Sequence, residues 1–321
     1  MRVARSLTSR EVVVEELPDP VAGPGEVVCR VLACGVCGSD VSETYVSRKL
    51  PAVLGHEVVG EVLETGAGVH GPRAGDRVVI HHHVPCGACR RCRRGHETLC
   101  EQFRATALDP GGFAERVRLS APLVSELLEL GELDPVAGTF VEPLGCVLRA
   151  LDRAGLRPGD ALLVVGAGSN GLLAVAAAHA RGVEAVWVRE PRADRRRLAQ
   201  DLGAAHHADE PVDVAFVTTA DAGAIAGSAA ALAPGGTLCL YATTGPGTPV
   251  GLDTEQLFLR ELTVCSSWSA GPSDMRAAHA LIGSGRIDVL PLVTHRLPLD
   301  ETARALDLQR RGEALKAVVL P

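Results

Sequence analysis

Four cysteines crowd the segment PCGACRRCRRGHETLC: Cys86, Cys89, Cys92 and Cys100, spaced C-x2-C-x2-C-x7-C. Four thiolates this close in sequence can close a tetrahedron around zinc and leave no position for a substrate, so the chemistry they imply is structural. A metal there would fix a lobe with too little apolar content to fold alone. Disulfides and an iron–sulfur cluster are competing uses of the same thiolates, and both the lack of a secretory signal and the spacing favour zinc. Arg90, Arg91, Arg93 and Arg94 share this loop. They read as solvated charge that would also offset the surplus negative charge of a four-thiolate zinc site.

A second set is dispersed: Cys37 in CGVCGSD, His56 and Glu57 in GHE, and Glu142 in VEPL. A thiolate, an imidazole and one or two carboxylates make three protein ligands with an open position, the arrangement of a catalytic zinc. Singly, each has a plainer account: Cys37 as a small buried apolar residue, His56 as a hydrogen-bonded core histidine, Glu57 and Glu142 as surface acids. His81, His82 and His83 form a tempting tract, but neighbours on a strand point to opposite faces, so three in a row cannot all reach one ion. They read as structural. Cys29, Cys34, Cys146, Cys239 and Cys265 lie in apolar segments and read as core.

A third signal is the run LLVVGAGSNGLLAVAAAHAR, residues 162–181, which reads as strand, turn and helix. Gly166, Gly168 and Gly171 form Gly-x-Gly-x-x-Gly at the join: the first permits the tight turn, the second lets a pyrophosphate approach, and the third lets helix pack on strand. Free N–H groups at the start of the helix, around Ser169 and Asn170, would meet the phosphates. A further apolar strand, Ala185 to Val188, leads to Glu190, 19 residues after Gly171. At that distance a carboxylate takes the hydroxyls of an adenosine ribose, which favours NAD. Arg189 and Arg192 flank Glu190 and could accept a 2′-phosphate, so NADP stays open.

These groups need elements to hold them. From Met1 to about Leu119, short β-type runs (VVVEE, EVVCRVLAC, HEVVGEVLET, GDRVVI, FAERVRL) are separated by glycine and proline, which predicts a compact, largely antiparallel barrel or sandwich. Helical periodicity begins near Asp134 and places Val147, Leu148 and Leu151 on one face. Beyond Glu190 the pattern predicts a helix over Ala193–Leu202, a strand over Val212–Val217, and a helix through Ile225 to Leu232. A turn at Pro-Gly-Gly, a strand over Thr237–Tyr241, a strand over Leu262–Cys265 and a helix over Asp274–Gly283 follow. Strands alternating with helices imply a parallel, doubly wound sheet. The tail segments VLPLVTHRL and LKAVVLP are short and β-like and are expected to rejoin the first domain.

A chain of 321 residues is long enough for two domains, and 46% hydrophobic with 22% charged residues describes a globular protein. The net charge of −7 argues against a nucleic-acid partner, because phosphate-neutralising surfaces are strongly basic. No apolar stretch has the length a bilayer requires, and MRVARSLTSREVVVEE lacks a signal-peptide core, so a cytoplasmic location is expected.

Taken in order, Cys37-Gly-Ser-Asp40, Gly55-His-Glu57, the Cys86–Cys100 lobe, Glu142-Pro-Leu144 and the Gly166–Gly171 fingerprint resemble the zinc-dependent medium-chain alcohol dehydrogenases over essentially the whole chain. Glu142-Pro-Leu144 is similar to the polyol, sorbitol and threonine dehydrogenase branch. The resemblance implies an α/β protein with a GroES-like β-rich catalytic domain over 1–143, a structural-zinc lobe at about 84–103, and a Rossmann coenzyme domain over 144–283. Residues 284–321 would return to the catalytic domain, with a cleft between the two. It further implies two zinc ions per chain, Cys37 and His56 as catalytic ligands, and Glu57 and Glu142 as direct or water-mediated ligands. Ser39 would pass the substrate proton toward solvent, Asp40 would orient His56, and Arg195 would join the coenzyme contacts. The implied activity is hydride transfer between a secondary alcohol of polyol, sugar or cyclitol type and NAD(P), in a homodimer or homotetramer. Threonine-type amino alcohols, simple secondary alcohols and a non-catalytic nucleotide-binding relative are the alternatives. One departure concerns the proton path: many relatives carry a histidine five residues after the ligand cysteine, where this chain has Ser42. Some relatives acting on cyclitols or aminocyclitols share a serine there. Glu43, Tyr45 and Trp268 are pocket candidates by position, with ordinary loop and packing roles as the alternative.

Overall fold

The computed structural model describes residues 1–206 and 210–321. Two compact units emerge, one of Met1–Pro143 with Gly271–Pro321 and the other of Leu144–Ala270.

The first unit is built on a seven-stranded sheet whose central member is Val27–Gly35. That strand pairs antiparallel with Glu57–Thr65, Arg116–Leu119 and the C-terminal strand Ala317–Leu320. Strands Arg77–Ile80 and Leu128–Glu129 extend one side, and His295–Pro298 joins Ala317–Leu320 in the one parallel pair. Neighbours on both edges explain why Val27–Gly35 is buried almost throughout rather than alternating. Register shifts at Val28/Cys29 and Val31/Ala33 bend it, and such bulges curl a sheet around its own core. Val3, Cys29, Val31, Val58, Val62, Ile80, Phe113 and Val117 fill that core. Arg2–Ser6 lies between Val12–Glu16 and Ala52–Val53 in a separate three-stranded antiparallel sheet.

The second unit is a six-stranded, all-parallel sheet in the order Ala205–His206, Ala185–Arg189, Ala161–Val165, Val212–Val217, Leu232–Leu240, Thr263–Ser266. The chain starts at the middle strand, winds outward one way, then returns and winds the other way; this is the doubly wound topology, with a switch point beside Ala161–Val165. Helices Ser169–Ala180, Ala193–Asp201 and Ala222–Ala230 make the crossovers. Leu163, Val165, Ala215, Val217 and Leu238 form its apolar centre.

Three details depart from the sequence-based expectations. The strand Ala205–His206 is absent from them, being two exposed residues with no apolar pattern. The Pro234–Gly236 turn is a bulge inside one strand: Leu232 pairs with Val212, and pairing resumes with Thr237 opposite Val214. The first unit resumes at Gly271, not at 284, so helix Pro272–Gly283 belongs to it. The physical reason is a cap followed by packing. Gly271 N donates to the buried Asp274 carboxylate at 2.8 Å, and the helix lays Met275, Ala278 and Ile282 inward, beside Pro135–Gly138.

Candidate active site

In the cysteine lobe, the sulfur atoms of Cys86, Cys89, Cys92 and Cys100 all lie within 4.8 Å of one another. Cys89 caps the short helix Arg90–Arg93, Cys92 sits within it, and Cys100 caps Glu101–Ala105. The Cys89–Cys92 and Cys86–Cys100 sulfur pairs are each 3.5 Å apart and all four thiols are unbonded. That spacing is near the edge of about 3.8 Å expected for a tetrahedron with Zn–S about 2.3 Å. Burial pushes the Cys92 thiol up to about 12, whereas backbone donors at Cys86, Phe103 and Gln102 overcome burial at Cys100 and bring it down to about 6. Such a mixture is what neighbouring thiols do when they cannot all ionise without a cation among them. The donor set therefore fits zinc. Of the four arginines, all exposed, Arg91 donates to Leu99 O at 3.0 Å and braces the loop.

The dispersed set is assembled by strand register. Gly35 pairs with Glu57, so Cys37, two residues beyond Gly35, comes beside His56, one residue before Glu57. The donor atoms of Cys37, His56 and Glu57 lie within 4.8 Å of one another. Cys37 caps the turn Gly38–Val41: its Sγ accepts from Ser39 N at 3.5 Å, and its own N–H donates to Asp40 at 3.0 Å. The second Asp40 oxygen faces His56 Nδ1 at 3.5 Å. Burial works against the Asp40 charge, but His56 and the backbone donors of Cys37 and Gly55 outweigh it and hold the carboxyl below its ordinary value. At His56 burial is likewise outweighed, here by Asp40 and Cys37, and its proton is held well above the usual range. A half-buried Ser39 sits beside Cys37, and Ser42 is exposed at the head of helix Glu43–Val46. On that helix Glu43 is exposed and Tyr45 is engaged by Lys49 at 2.6 Å. Trp268 lies in the other unit and is 45% exposed. Glu142 is buried in the first turn of helix Val141–Ala154 and lies outside the three-residue group.

Two residues join the site that the sequence reading left out or set aside. Lys316, 2% exposed, directs its ammonium onto Glu57 in a buried ion pair, 5.4 Å from the Phe140 ring. Burial lowers its affinity for a proton, but the charges of Glu57, Cys37 and Glu142 more than restore it. Gly35 makes room for this pair, since a Cβ there would collide with the Glu57 carboxylate. The sequence signal was a lone lysine inside the apolar segment LKAVVLP. His82 is the other: its ring lies 4.8 Å from that of His56 and 4.1 Å from that of His83.

In the second unit Gly166 adopts φ +95°, and a Cβ on Gly171 would collide with the Gly166 carbonyl. Gly168 caps helix Ser169–Ala180 without a side-chain partner, which leaves the first-turn N–H groups of Ser169, Asn170 and Gly171 to a ligand. The Glu190 carboxylate is buried; one oxygen accepts from Ala167 N at 2.7 Å and the other from Arg192 N at 2.9 Å. A carboxylate has about four acceptor positions, so two stay available for ribose hydroxyls. The Arg195 guanidinium stands over Gly168, whereas that of Arg192 is held by Asp194 at 2.7 Å. Thr218, which the sequence reading missed, ties its hydroxyl to the Gly166 carbonyl at 2.9 Å.

A β-rich unit with two metal-type clusters and a doubly wound unit with a dinucleotide turn define a zinc-dependent, nicotinamide-dependent oxidoreductase. Comparison with known proteins narrows this class. Residues 23–129 match the alcohol dehydrogenase GroES-like domain, and 171–284 match the zinc-binding dehydrogenase domain. A sorbitol dehydrogenase from Bacillus subtilis is 30% identical over 100% of this chain and 97% of its own. An L-threonine 3-dehydrogenase from Pyrococcus abyssi is 33% identical over 97% of this chain and 94% of its own. Among solved structures, a zinc-binding dehydrogenase from Sinorhizobium meliloti 1021 bound to NADP superposes with a TM-score of 0.90 at 28% identity, covering 100% of this chain and 99% of that one. The chain belongs to the zinc-dependent medium-chain alcohol dehydrogenase family. It is a dehydrogenase that acts on a CH–OH group with zinc and NAD(P). Among the described residues no helix is long and apolar enough to cross a membrane.

Proposed function

We propose that the chain oxidises a secondary alcohol of polyol, sugar-alcohol, cyclitol or aminocyclitol type at a catalytic zinc held by Cys37, His56 and Glu57, with Glu142 as an exchanging carboxylate. The observation that carries this reading is the convergence of those three donor atoms, with Asp40 behind the imidazole and Lys316 behind the carboxylate. When bound, zinc supplies the Lewis acidity that lets an alcohol shed its proton near neutral pH, and the nicotinamide accepts the hydride. The protein does the rest. Asp40 fixes the tautomer and orientation of His56. The Ser39 N–H supports negative charge on the Cys37 sulfur, and its hydroxyl takes the substrate proton outward, by way of Ser42 or water where relatives carry a histidine. Lys316 holds the Glu57 carboxylate in place beside the cluster.

Cys86, Cys89, Cys92 and Cys100 hold a second, structural zinc. Gly166, Gly168, Ser169, Asn170, Gly171 and Arg195 cradle the pyrophosphate, and Glu190 binds the ribose. A buried Glu190 charge would repel a 2′-phosphate, which favours NAD. The NADP in the S. meliloti relative supports the second coenzyme as the alternative. The threonine dehydrogenase relative likewise supports an amino alcohol as the second substrate reading. Exposed Phe258 and Leu259, with Val264 on the open edge strand Thr263–Ser266, support a homodimer or homotetramer. The use of cysteines as ligands and core residues supports a cytoplasmic location.

The test is a panel of polyols, cyclitols, amino alcohols and simple secondary alcohols, each assayed with NAD and NADP by absorbance of the reduced coenzyme. Turnover of threonine alone would overturn the polyol reading, and an inert zinc-loaded protein would overturn the whole assignment.

A further inference from the structure

Two cysteines that belong to neither ligand set meet across neighbouring strands of the second unit. Cys239 lies in Leu232–Leu240 and Cys265 in the outermost strand Thr263–Ser266, and the two are in register. Residues in register on parallel strands point to the same face, and neighbouring strands run about 4.8 Å apart. That separation falls inside the range of about 4.4–6.8 Å between Cα atoms that a disulfide spans. The sulfurs already share a hydrogen bond. Cys239 is wholly buried, and its single proton lies between the Cys265 sulfur and the Ala150 carbonyl, 3.6 Å from Sγ. Cys265 is half-buried, and beside it Arg153 Nε donates to Ser266 O at 2.7 Å. The pair is therefore unequal. The hydrogen bond to Cys265, with burial, pushes the Cys239 thiol up; the same bond, joined by the Arg153 charge, brings Cys265 down to about 7 although burial opposes it. Burial alone pushes the Cys29 thiol up to about 12, and burial is the largest cause that raises Cys34.

We propose that Cys239 and Cys265 form a peroxide-reactive dithiol: a hydroperoxide oxidises Cys265, and Cys239 resolves the product into a disulfide that ties the edge strand to its neighbour. In the first step the Cys265 thiolate attacks one peroxide oxygen; an S–O bond forms, the O–O bond breaks, and hydroxide leaves and takes a proton from water. The sulfur is oxidised to a sulfenic acid and the peroxide is reduced, two electrons passing between them. In the second step the Cys239 sulfur attacks the Cys265 sulfur, the S–O bond breaks, and the departing hydroxide leaves as water with the Cys239 proton. A strand paired on one side only can make the small shift that closure needs, whereas a central strand is held on both. A dithiol reductant reverses the bond by exchange.

The experiment treats the zinc-loaded protein with hydrogen peroxide at pH 7, blocks remaining thiols with N-ethylmaleimide and digests with trypsin without reduction. Cutting after arginine and lysine leaves Cys239 as the one cysteine of peptide 198–260 and Cys265 as the one cysteine of peptide 261–276. The expected first product is a single species with the summed mass of both peptides less two hydrogens, lost on adding dithiothreitol. It is expected to form several-fold faster than glutathione oxidises under the same conditions, since Cys265 holds more of its thiol as thiolate. Cys239→Ser, which keeps a hydrogen-bond donor beside Cys265, is expected to stop at a sulfenic acid that dimedone captures. Cys265→Ser is expected to leave Cys239 unmodified, with zinc content and coenzyme titration as in the wild type. A wild type whose Cys265 goes on to sulfinic acid while Cys239 stays free overturns the pairing, as does a wild type that yields no linked species. Oxidation of the lobe cysteines with loss of zinc before the link forms overturns Cys265 as the reactive thiol.

Discussion

The buried pair of Lys316 and Glu57 offers a measurable consequence. The two side chains are 3% and 1% exposed, so replacing Lys316 by Met strands a buried carboxylate with an aromatic ring near the vacated position. Removing one member of a buried pair costs about 3–5 kcal/mol, since the remaining charge keeps its desolvation penalty and loses its compensation. For a unit of about 150–250 residues each kcal/mol moves the melting temperature by roughly 2–4 °C. A fall of roughly 6–20 °C is therefore expected for Lys316→Met, measured by circular dichroism at fixed zinc and protein concentration. The double variant Glu57→Gln/Lys316→Met removes both charges at once and is expected to recover a large part of that loss, because the positions share one interaction. A Lys316→Met protein melting within about 2 °C of the wild type would refute the reasoning, as would a double variant less stable than the additive sum of the single ones.

Other outcomes follow from the same geometry. Gly171→Ala places a methyl against the Gly166 carbonyl and is expected to lose about 1–3 kcal/mol and weaken coenzyme binding, read by melting and by reduced-coenzyme fluorescence titration. Cys89→Ser is expected to lower the zinc content from two ions per chain to one by elemental analysis; two ions retained would remove the lobe as a metal site. On the edge strand, Cys265 pairs in register with Cys239, whose thiol hydrogen bond, helped by the Arg153 charge, brings Cys265 down to about 7 against the pull of burial. Thiolate is the form present above the pKa, so alkylation of Cys265 is expected to rise through about pH 7, below the ordinary thiol value of about 8.5. Mass spectrometry of trapped peptides checks this, and a midpoint above 8 would contradict it.

Much of the fold was legible because pattern and environment agree. Val212–Val217 reads as a buried parallel strand and is one, since every residue in it except the exposed Asp213 is covered. The exceptions share a cause. Ala205–His206 exists only because a neighbouring strand offers hydrogen bonds to two exposed residues, and no side-chain periodicity can announce that. Pro234–Gly236 carries a true turn signal, but the parallel partner Val212–Val217 recaptures the chain on either side, turning a terminator into a bulge. At Gly271 the deciding group was Asp274, three residues into the helix and read as an ordinary helical residue. Its carboxylate caps the backbone and starts the returning helix earlier than apolar spacing suggests.

The site divides along a different line, between ligands that the chain brings together locally and partners that only the sheet brings together. Cys86 to Cys100 span so short a segment that spacing nearly determines the geometry, and the lobe could be drawn from sequence. Cys37, His56 and Glu57 need one further fact, the antiparallel register that sets Gly35 opposite Glu57. Lys316 lies 259 residues from Glu57 in sequence, and it arrives because the C-terminal strand closes against Val27–Gly35. A lysine in an apolar strand costs too much to bury unless an acid waits for it. Its oddity was thus the readable clue, and the identity of its partner was not. His82 shows the converse. Strand alternation led the sequence reading to set the three histidines aside as structural, but they follow the strand Arg77–Ile80 rather than lying in it, so one of them is free to meet a different neighbour. In this fold that neighbour is His56.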